Sequence, residues 1–210
     1  WSEETQLPPG FLGPVRNKSV ELPNGQLLHP SSFEINHVWT SHIELSDPDL
    51  KNWEKVELKG PFNAIQPTVL FHPNNKIQVL CRTQEGVVAT AWSSDNGKTW
   101  TKPTATNMPD SRAKQSAGNL PDGRAFLINN PSGTKNRAPL TITLSSDGQL
   151  FDKAYLLRSE SELPLMLYAG KYKRTGYSYP KSIVWNNRVW VSYAVNKEDI
   201  EVTSMAVENL

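Results

Sequence analysis

A recurring unit of two short strands joined by a tight turn is the feature that most restricts how this sequence can fold. Four such hairpins are predicted, with turns at Asn24-Gly25, Pro73-Asn74-Asn75, Asp122-Gly123 and Asn186-Asn187. Asn, Asp and Gly tolerate the positive φ angles that two-residue hairpin turns require. The flanking apolar runs have the length of strands, and helical periodicity is hard to find. The pattern predicts an all-β protein.

The hairpins belong to a longer repeat, in which a turn with Ser, Asp and an aromatic residue recurs. The first residues of these turns, Ser46, Ser93 and Ser145, are 47 and 52 residues apart. A period of about 45–50 residues with four short strands per unit is typical of a propeller blade. We therefore predict a β-propeller of four-stranded antiparallel blades, at roughly 14–56, 65–103, 115–158 and 177–207.

About four blades is near the lower limit of about four to eight that closes a ring. Trp1 resembles the final residue of another such turn, as Trp100 is the final residue of "SSDNGKTW". We therefore expect residues 1–210 to be the C-terminal portion of a longer propeller. Its N-terminal blades would lie in a second chain or a removed segment. A complete four-bladed ring is the alternative.

Composition excludes several classes of function. Lys and Arg number 22 against 21 Asp and Glu, without a long basic run, so a nucleic-acid partner is not expected. No apolar stretch has membrane-spanning length, and no signal peptide opens the chain. Cys81 is the single cysteine, which excludes an internal disulfide and a multi-cysteine zinc site. We expect no metal and no cofactor.

The stretch "WSSDNGKTW" matches the Asp-box motif of BNR repeats, with Ser93, Asp95, Gly97, Thr99 and Trp100 at its key positions. Asp95 can accept hydrogen bonds from turn amides, and Gly97 supplies a conformation that other residues avoid. Degenerate copies are predicted at Ser46-Asp49-Trp53 and Ser145-Asp147-Phe151. A motif that recurs once per blade is scaffold, whereas catalysis needs a single site. We interpret it as a structural clamp.

With these turns the sequence resembles the sialidase (neuraminidase) superfamily, and more closely its BNR-repeat branch of glycan-active propellers. The resemblance covers essentially the whole chain. Besides the Asp-boxes, it is carried by "GPVRNKSVELPNG", "IQPTVLFHPNNKIQVLCR", "LPDGRAFLINN" and "GYSYPKSIVWNNRVWVSYAVNKEDIEV". It implies a propeller that is six-bladed when complete. It also implies hydrolysis by an arginine triad that grips a carboxylate, a Tyr nucleophile, an activating Glu and an Asp acid.

The resemblance assigns Arg82 to the arginine triad and Tyr177 to the nucleophile, with Tyr179 able to exchange roles with Tyr177. Two departures accompany these matches. Asn119 stands where a sialidase has its activating Glu, and the pair Asn129-Asn130 stands where another triad arginine is expected, with Arg137 as a stand-in.

A further candidate cluster lies in "HPSSFEINHVWTSHIELS", where carboxylates and histidines surround an aromatic residue. Sugar sites combine an aromatic platform with carboxylates, so Glu34 is the candidate carboxylate partner, and Trp39 and His42 are candidate binding residues. His42 and Glu44 are two residues apart and would share a face of one strand. The remaining candidate contacts to the glycan are Lys18, Gln66, Lys171 and Arg174.

These residues predict a sialidase-like glycoside hydrolase that removes a terminal, acidic sugar from a glycan, in a secreted or periplasmic protein. A propeller lyase of uronic-acid polysaccharides is one alternative, because Tyr177, His42 and Arg82 would suffice for it without an activating Glu. A non-catalytic glycan-binding or assembly module is the other. The expected partners are a glycan or oligosaccharide and the N-terminal blades.

Overall fold

The structure, a computed structural model, describes residues 3–210, so Trp1 and the turn expected there lie outside the described residues. Two single-turn 3-10 helices, Glu160–Glu162 and Val207–Asn209, are the helical elements of the described part. All other regular structure is β-strand. The strands are β1 Val20–Glu21, β2 Leu27–Ile35, β3 Val38–Ser46, β4 Trp53–Glu57, β5 Ala64–His72, β6 Lys76–Thr83, β7 Val87–Ser93, β8 Thr104–Pro109, β9 Ser116–Asn119, β10 Ala125–Asn129, β11 Leu140–Ser145, β12 Lys153–Arg158, β13 Tyr177–Trp185, β14 Arg188–Val195 and β15 Asp199–Ala206.

The strands pair with their neighbours in chain order and form separate sheets. β1–β4, β5–β8 and β9–β12 are four-stranded sheets, and β13–β15 form a three-stranded sheet. Every strand pairing is antiparallel. The sheets are the blades of a β-propeller, which confirms the predicted fold class. Within the described residues the last blade has three strands instead of four.

Hydrophobic packing between successive blades forms the core. In β6, Ile77 and Val79 pack towards the first blade, whereas Leu80 packs towards the third. In β10, Leu127 faces the second blade and Ile128 the fourth. Successive side chains of a strand point to opposite faces, so a strand between two blades must be apolar on both. Each fully buried Leu or Ile stabilises the stack by about 1.5–3 kcal/mol.

The strand order places two kinds of loop at opposite ends of the propeller. Because the strands alternate in direction, the connections between the second and third strands of all blades lie at one end, here called the upper end. The connections between first and second strands, and between third and fourth strands, lie at the lower end. The first strands β5, β9 and β13 contact one another in turn, so they are next to the axis.

The Ser93–Trp100 turn, at the lower end, is closed by its own side chains. Asp95 Oδ1 accepts hydrogen bonds from the Ser93 hydroxyl at 2.8 Å and from the Thr99 amide at 2.9 Å. The Trp100 indole N–H donates to the Gly97 carbonyl at 2.9 Å. Gly97 has φ +82°, and a Cβ there would lie 3.2 Å from a methyl carbon of Leu28 in the first blade. The turn therefore clamps its own hairpin and packs against the neighbouring blade.

In the first blade the corresponding turn uses a different carboxylate from the one predicted. Asp47, not Asp49, accepts the hydrogen bonds of the turn, from the Lys51 amide at 2.7 Å and the Asn52 amide at 3.2 Å. Asp49 forms an ion pair with Lys51 on the surface. Trp53 donates to a carbonyl three residues earlier, as Trp100 does. Ser46 and Trp53 are as far apart in sequence as Ser93 and Trp100, so the turns have equal length and the acceptor carboxylate of the first blade stands one position earlier.

We expect the substitution Asp95→Ala to lower the free energy of unfolding by about 1–2 kcal/mol, because the Thr99 amide and the two hydroxyls lose their acceptor. Asp49→Ala is the matched control, since exposed ion pairs contribute little. Equilibrium denaturation in urea measures both variants. Equal losses in the two proteins would contradict the clamp.

Candidate functional site

A cavity of about 370 Å³ lies at the upper end, between loops of the first three blades and the segment that precedes β13. Its lining residues are Glu34, His37, Trp39, Arg82, Gln84, Ser111, Arg112, Lys135, Arg137 and Arg174. The sequence predicted five of them, namely Glu34, Trp39, Arg82, Arg137 and Arg174. The cavity is therefore the place where the largest number of the predicted residues come together.

The β2–β3 hairpin supplies one wall of the cavity. It turns through Asn36 and His37, whose φ angles are +50° and +65°. The turn leaves Glu34 and Trp39 directly opposite each other in the strand pairing. The Gln84 side-chain amide donates to the His37 carbonyl at 2.9 Å and ties the hairpin to the second blade. Nδ1 of His37 is 3.7 Å from Glu34 Oε1, so a carboxylate and an imidazole are neighbours at the mouth.

Arg82, near the end of β6, forms the next part of the wall. Its Nη1 donates to Gln66 Oε1 at 3.3 Å, and its guanidinium carbon is 4.5 Å from the centre of the Trp39 ring. Burial lowers the pKa of Arg82 to about 10, although the nearby Asp110 carboxylate opposes that shift. Arg82 therefore remains a cation at neutral pH, on an aromatic platform and with its other donors free.

Arg137 is fixed on the opposite side by backbone and side-chain contacts. Its Nη1 donates to the Ser178 hydroxyl at 2.7 Å, and its carbonyl accepts the Tyr177 amide at 2.8 Å. The Asn130 side-chain amide donates to the same carbonyl at 2.9 Å. Asn130, one of the two asparagines that stand where a triad arginine was expected, thus holds the loop that carries Arg137. The Arg137 guanidinium carbon lies 5.5 Å from the centre of the Tyr179 ring.

A β-bulge separates the two candidate tyrosines. Regular alternation would put Tyr177 and Tyr179 on the same face, but Tyr179 has φ +56° and the pairing of β13 with β14 is interrupted there. Tyr177 is buried in the core between the last two blades, and its hydroxyl donates to the Ser159 carbonyl at 2.9 Å. Of the two rings, Tyr179 is the one among the cations near the cavity.

Positive charge stabilises the phenolate form of Tyr179. Arg16 and Lys197 lie 5.5 Å and 5.3 Å from the centre of its ring, in addition to Arg137. Burial opposes ionisation, but the hydrogen bonds and positive charges of Lys197 and Arg137 outweigh burial and lower the pKa of Tyr179 below its ordinary value. A lowered phenol pKa is what a tyrosine nucleophile or base requires.

A left-handed residue precedes or interrupts the first strand of each blade. These residues are Arg16, Gln66, Arg112 and Tyr179, with φ angles of +66°, +58°, +57° and +56°. A non-glycine residue in this region is uncommon and strained, and such residues are concentrated at functional sites. The four positions are equivalent in sequence, as "VRNKS", "IQPTV", "SRAKQ" and "SYPKS" show. Arg112 was missed in the sequence, although this repeat contained the signal.

The cavity is strongly cationic. Arg82, Arg112, Lys135, Arg137 and Arg174 line it with Glu34 as the single carboxylate, and within residues 3–210 none of the five forms an ion pair.

Three buried donors in the cavity wall also have no hydrogen-bond partner in the described part of the chain. They are Trp39 Nε1, Arg82 Nε and the Ser111 hydroxyl. Buried polar groups are almost always paired in native proteins. These three atoms lie beneath the surface of the wall, so the excess of positive charge on its five Arg and Lys side chains is the feature that a ligand can reach. An anionic ligand would balance that charge.

His42 lies away from the cavity. It shares a face with Glu44, as predicted from the period of two, but both side chains are fully buried and hydrogen-bonded to each other at 2.8 Å. The Glu44 carboxylate also accepts the amides of Leu12 and Gly13. Burial opposes ionisation of Glu44, but these bonds outweigh it and lower the pKa of the carboxyl. The pair fastens the N-terminal segment to the first blade.

The remaining predicted residues are dispersed. Lys18 lines a separate, apolar groove of about 510 Å³ on the outer face of the last blade. Lys171 is exposed on the loop before β13, and Gln66 reaches the cavity wall through its bond to Arg82. Asn119, in the position of the sialidase Glu, exchanges two hydrogen bonds with the backbone of Phe71 and joins two blades.

Within residues 3–210 no group of three or more His, Cys, Asp and Glu side chains is arranged to hold a metal ion. In the same range no helix has both the length and the apolar character needed to cross a membrane.

The fold and the site define a β-propeller with a cationic cavity at its upper end. A family model described as "BNR repeat-like domain" matches residues 1–191, and the chain belongs to this family. The match covers most of the chain and confirms the resemblance inferred from the sequence. No curated protein matches the sequence.

Solved structures of sialidases share the fold. A mutant of the NanB sialidase from Streptococcus pneumoniae is 17% identical, with a TM-score of 0.72 over 92% of this chain and 31% of its own. The intramolecular trans-sialidase from Ruminococcus gnavus, in complex with oseltamivir carboxylate, is 19% identical, with a TM-score of 0.66 over 92% and 44%. A protein of unknown function from Dyadobacter fermentans is 19% identical, with a TM-score of 0.69 over 96% and 59%. The chain thus spans about a third to three-fifths of these structures.

We expect the ultraviolet absorbance of phenolate to reveal Tyr179 as a tyrosine that ionises below its ordinary pKa. The phenolate absorbance should rise with pH in a step that belongs to Tyr179. Tyr179→Phe should remove this step, and Arg137→Met should move it to higher pH, because loss of the cation destabilises the phenolate. Arg188→Met, on the last blade, is the matched control and should leave the step unchanged. An unchanged titration in Arg137→Met would show that Arg137 does not act on the phenol.

Proposed function

We propose that this chain forms the sugar-binding part of a sialidase-like glycoside hydrolase that removes a terminal, acidic sugar from a glycan. The observation that carries the proposal is the cavity itself, where five Arg and Lys side chains without ion pairs in residues 3–210 face one Glu. Neutral sugars do not require such an excess of positive charge. An acidic sugar does, because its carboxylate is desolvated on binding and must be paired.

Arg82 and Arg137 are proposed to grip the carboxylate. The Arg82 guanidinium donates to a side-chain oxygen of Gln66, and the Arg137 guanidinium donates to that of Ser178. Each of these bonds leaves other N–H groups of the guanidinium free. A planar guanidinium can form two parallel hydrogen bonds with a carboxylate, which an ammonium cannot. Trp39, which lines the cavity, would provide a platform for the ring on the face that the Arg82 guanidinium leaves uncovered.

Tyr179 is proposed as the nucleophile, in place of Tyr177. Sialidases are established exceptions to the scheme of two carboxylates, because their nucleophile is a tyrosine. Lys197 and Arg137 lower the pKa of the Tyr179 phenol. Their positive charge favours the phenolate nucleophile, which an activating Glu would instead form by taking the proton. Glu34, beside His37 at the mouth, is the proposed carboxylate partner for proton transfer.

Family membership and fold support a sialidase-related function. The proposed reaction and the proposed acidic sugar depend on the residues of the site. The chain spans only part of the length of the sialidases it is similar to. In the proposed enzyme the N-terminal blades would supply the remaining arginine and the Asp acid. A glycan substrate of this kind accords with a secreted or periplasmic location.

Calorimetric titration with N-acetylneuraminic acid, glucuronic acid and glucose tests the proposal. We expect the two acids to bind and glucose not to bind. Arg82→Met should weaken binding of the acids at least tenfold, because a charge-assisted hydrogen bond contributes about 1.5–3 kcal/mol. Arg188→Met should bind as the unaltered protein does. Equal affinity for glucose, or no effect of Arg82→Met, would refute an acidic-sugar site.

A second candidate function is that of a lyase acting on uronic-acid glycans. The specific observation in its favour is that the groups acting on the Tyr179 phenol are cations, which suits a tyrosinate base that abstracts a proton while arginine neutralises the carboxylate. Product analysis separates the two reactions, because lysis leaves an unsaturated sugar that absorbs in the ultraviolet and hydrolysis releases a reducing sugar without that band. Binding without either product would indicate a glycan-binding module.

A further inference from the structure

The loop between β12 and β13 exposes large apolar side chains at the upper end, beside the cavity. Leu165 is 88% exposed, Leu167 74%, Tyr168 68% and Tyr172 74%. Here we call residues 163–174 the aromatic loop. Single exposed apolar residues are ordinary, but several together on one loop are typical of a binding surface.

The aromatic loop is fixed, although its tip is exposed. Three consecutive residues of the β14–β15 turn hold it: the Asn196 side-chain amide donates to the Pro164 carbonyl at 2.9 Å, and Lys197 Nζ donates to the Tyr172 carbonyl at 2.5 Å. The Glu198 carboxylate accepts the backbone amide of Tyr168 at 2.7 Å. A loop fixed at both arms presents its side chains at little further entropic cost on binding.

Glu198 is the central anchor. Besides the Tyr168 amide it accepts the Leu167 amide at 3.0 Å and pairs with Lys173 at 2.5 Å. The hydrogen bonds from Leu167 and Lys173 lower the pKa of the Glu198 carboxyl to about 2. The Glu198 carboxyl therefore stays ionised at neutral and mildly acidic pH, and the anchor is lost only when the pH falls towards that value.

The aromatic loop is continuous with the cavity at two points. Its last residue, Arg174, lines the cavity. Lys197, which holds the Tyr172 carbonyl, also lies 5.3 Å from the centre of the Tyr179 ring. The aromatic loop is therefore within reach of a ligand whose acidic end fills the cavity.

The chemistry of the aromatic loop suits a sugar ring. Lys173 lies over one face of Tyr168 and Lys171 over one face of Tyr172, each with its ammonium 5.3 Å from the ring centre. Aromatic faces pack against the C–H face of a sugar, and neighbouring ammonium groups donate to its hydroxyls. A wholly apolar protein segment would instead favour a surface without these cations.

We propose that Tyr168 and Tyr172 form a second binding site, for the neutral sugar that is linked to the acidic sugar in the cavity. The inference rests on the proposed function and adds to it a determinant of the glycan beyond its terminal residue. Leu165 and Leu167 flank this site and contribute exposed area but no aromatic face.

The test compares N-acetylneuraminic acid with 3′-sialyllactose, which carries the same acidic sugar on a neutral disaccharide. We expect the unaltered protein to bind the trisaccharide about fivefold to tenfold more tightly, which is the effect of one or two stacked rings. The double variant Tyr168→Ala/Tyr172→Ala should lose this preference and keep its affinity for the monosaccharide. Leu165→Ala/Leu167→Ala is the matched control in the same loop and should keep both.

The outcomes separate this inference from the function on which it rests. If both sugars bind and the tyrosine variant keeps the preference, the second site is refuted and the acidic-sugar cavity stands. If the leucine variant loses the preference as fully as the tyrosine variant, the loop is a hydrophobic contact surface and the inference is refuted. If neither sugar binds, the proposed function fails and the second site fails with it. Melting temperatures of all variants show whether the loop substitutions disturb folding.

Discussion

The packing of apolar sheet faces against one another is the interaction on which the rest of this structure depends. Each inner blade is apolar on both faces, as Val79 and Leu80 of β6 show by pointing into different cores. A sheet with two apolar faces must be covered on both sides, and radial stacking of twisted sheets achieves this. The stacking brings the upper loops of successive blades together, so the cavity is a consequence of the core.

Residues with positive φ angles then place side chains in or beside the cavity. Arg16, Gln66, Arg112 and Tyr179 occupy the left-handed region at equivalent points of the four blades. In β5 and β13 the positive φ angle interrupts the regular alternation of side chains, and in the other two blades it lies just before the first strand. The favourable inter-blade packing offsets the cost of these conformations, about 1–3 kcal/mol each. The arrangement concentrates positive charge where water is partly excluded, which strengthens its effect on an anion.

The sequence predicts the position of a site residue best where that residue lies on a regular strand. The position of Arg82 could be predicted because β6 is regular and ends at the upper end of its blade. The resemblance placed Tyr177 ahead of Tyr179 as the nucleophile, because no local pattern revealed the bulge that separates them and leaves Tyr177 in the core. His42 and Glu44 share a face as predicted, but the segment with Leu12 and Gly13 covers that face, and no local pattern reveals such a contact.

The sequence by itself determined the all-β class, the repeat of about 50 residues and the turns that close the hairpins, because these depend on local preferences and on the period of the strand. Only the tertiary structure decided that Arg82, Arg112 and Arg137 line one cavity, and that Tyr179 is among the cations while Tyr177 is buried. Residues from different blades are neighbours only after the sheets have stacked around an axis. Their charges and free donors act together because the residues are close in space, and no local sequence pattern specifies the distances between residues of different blades.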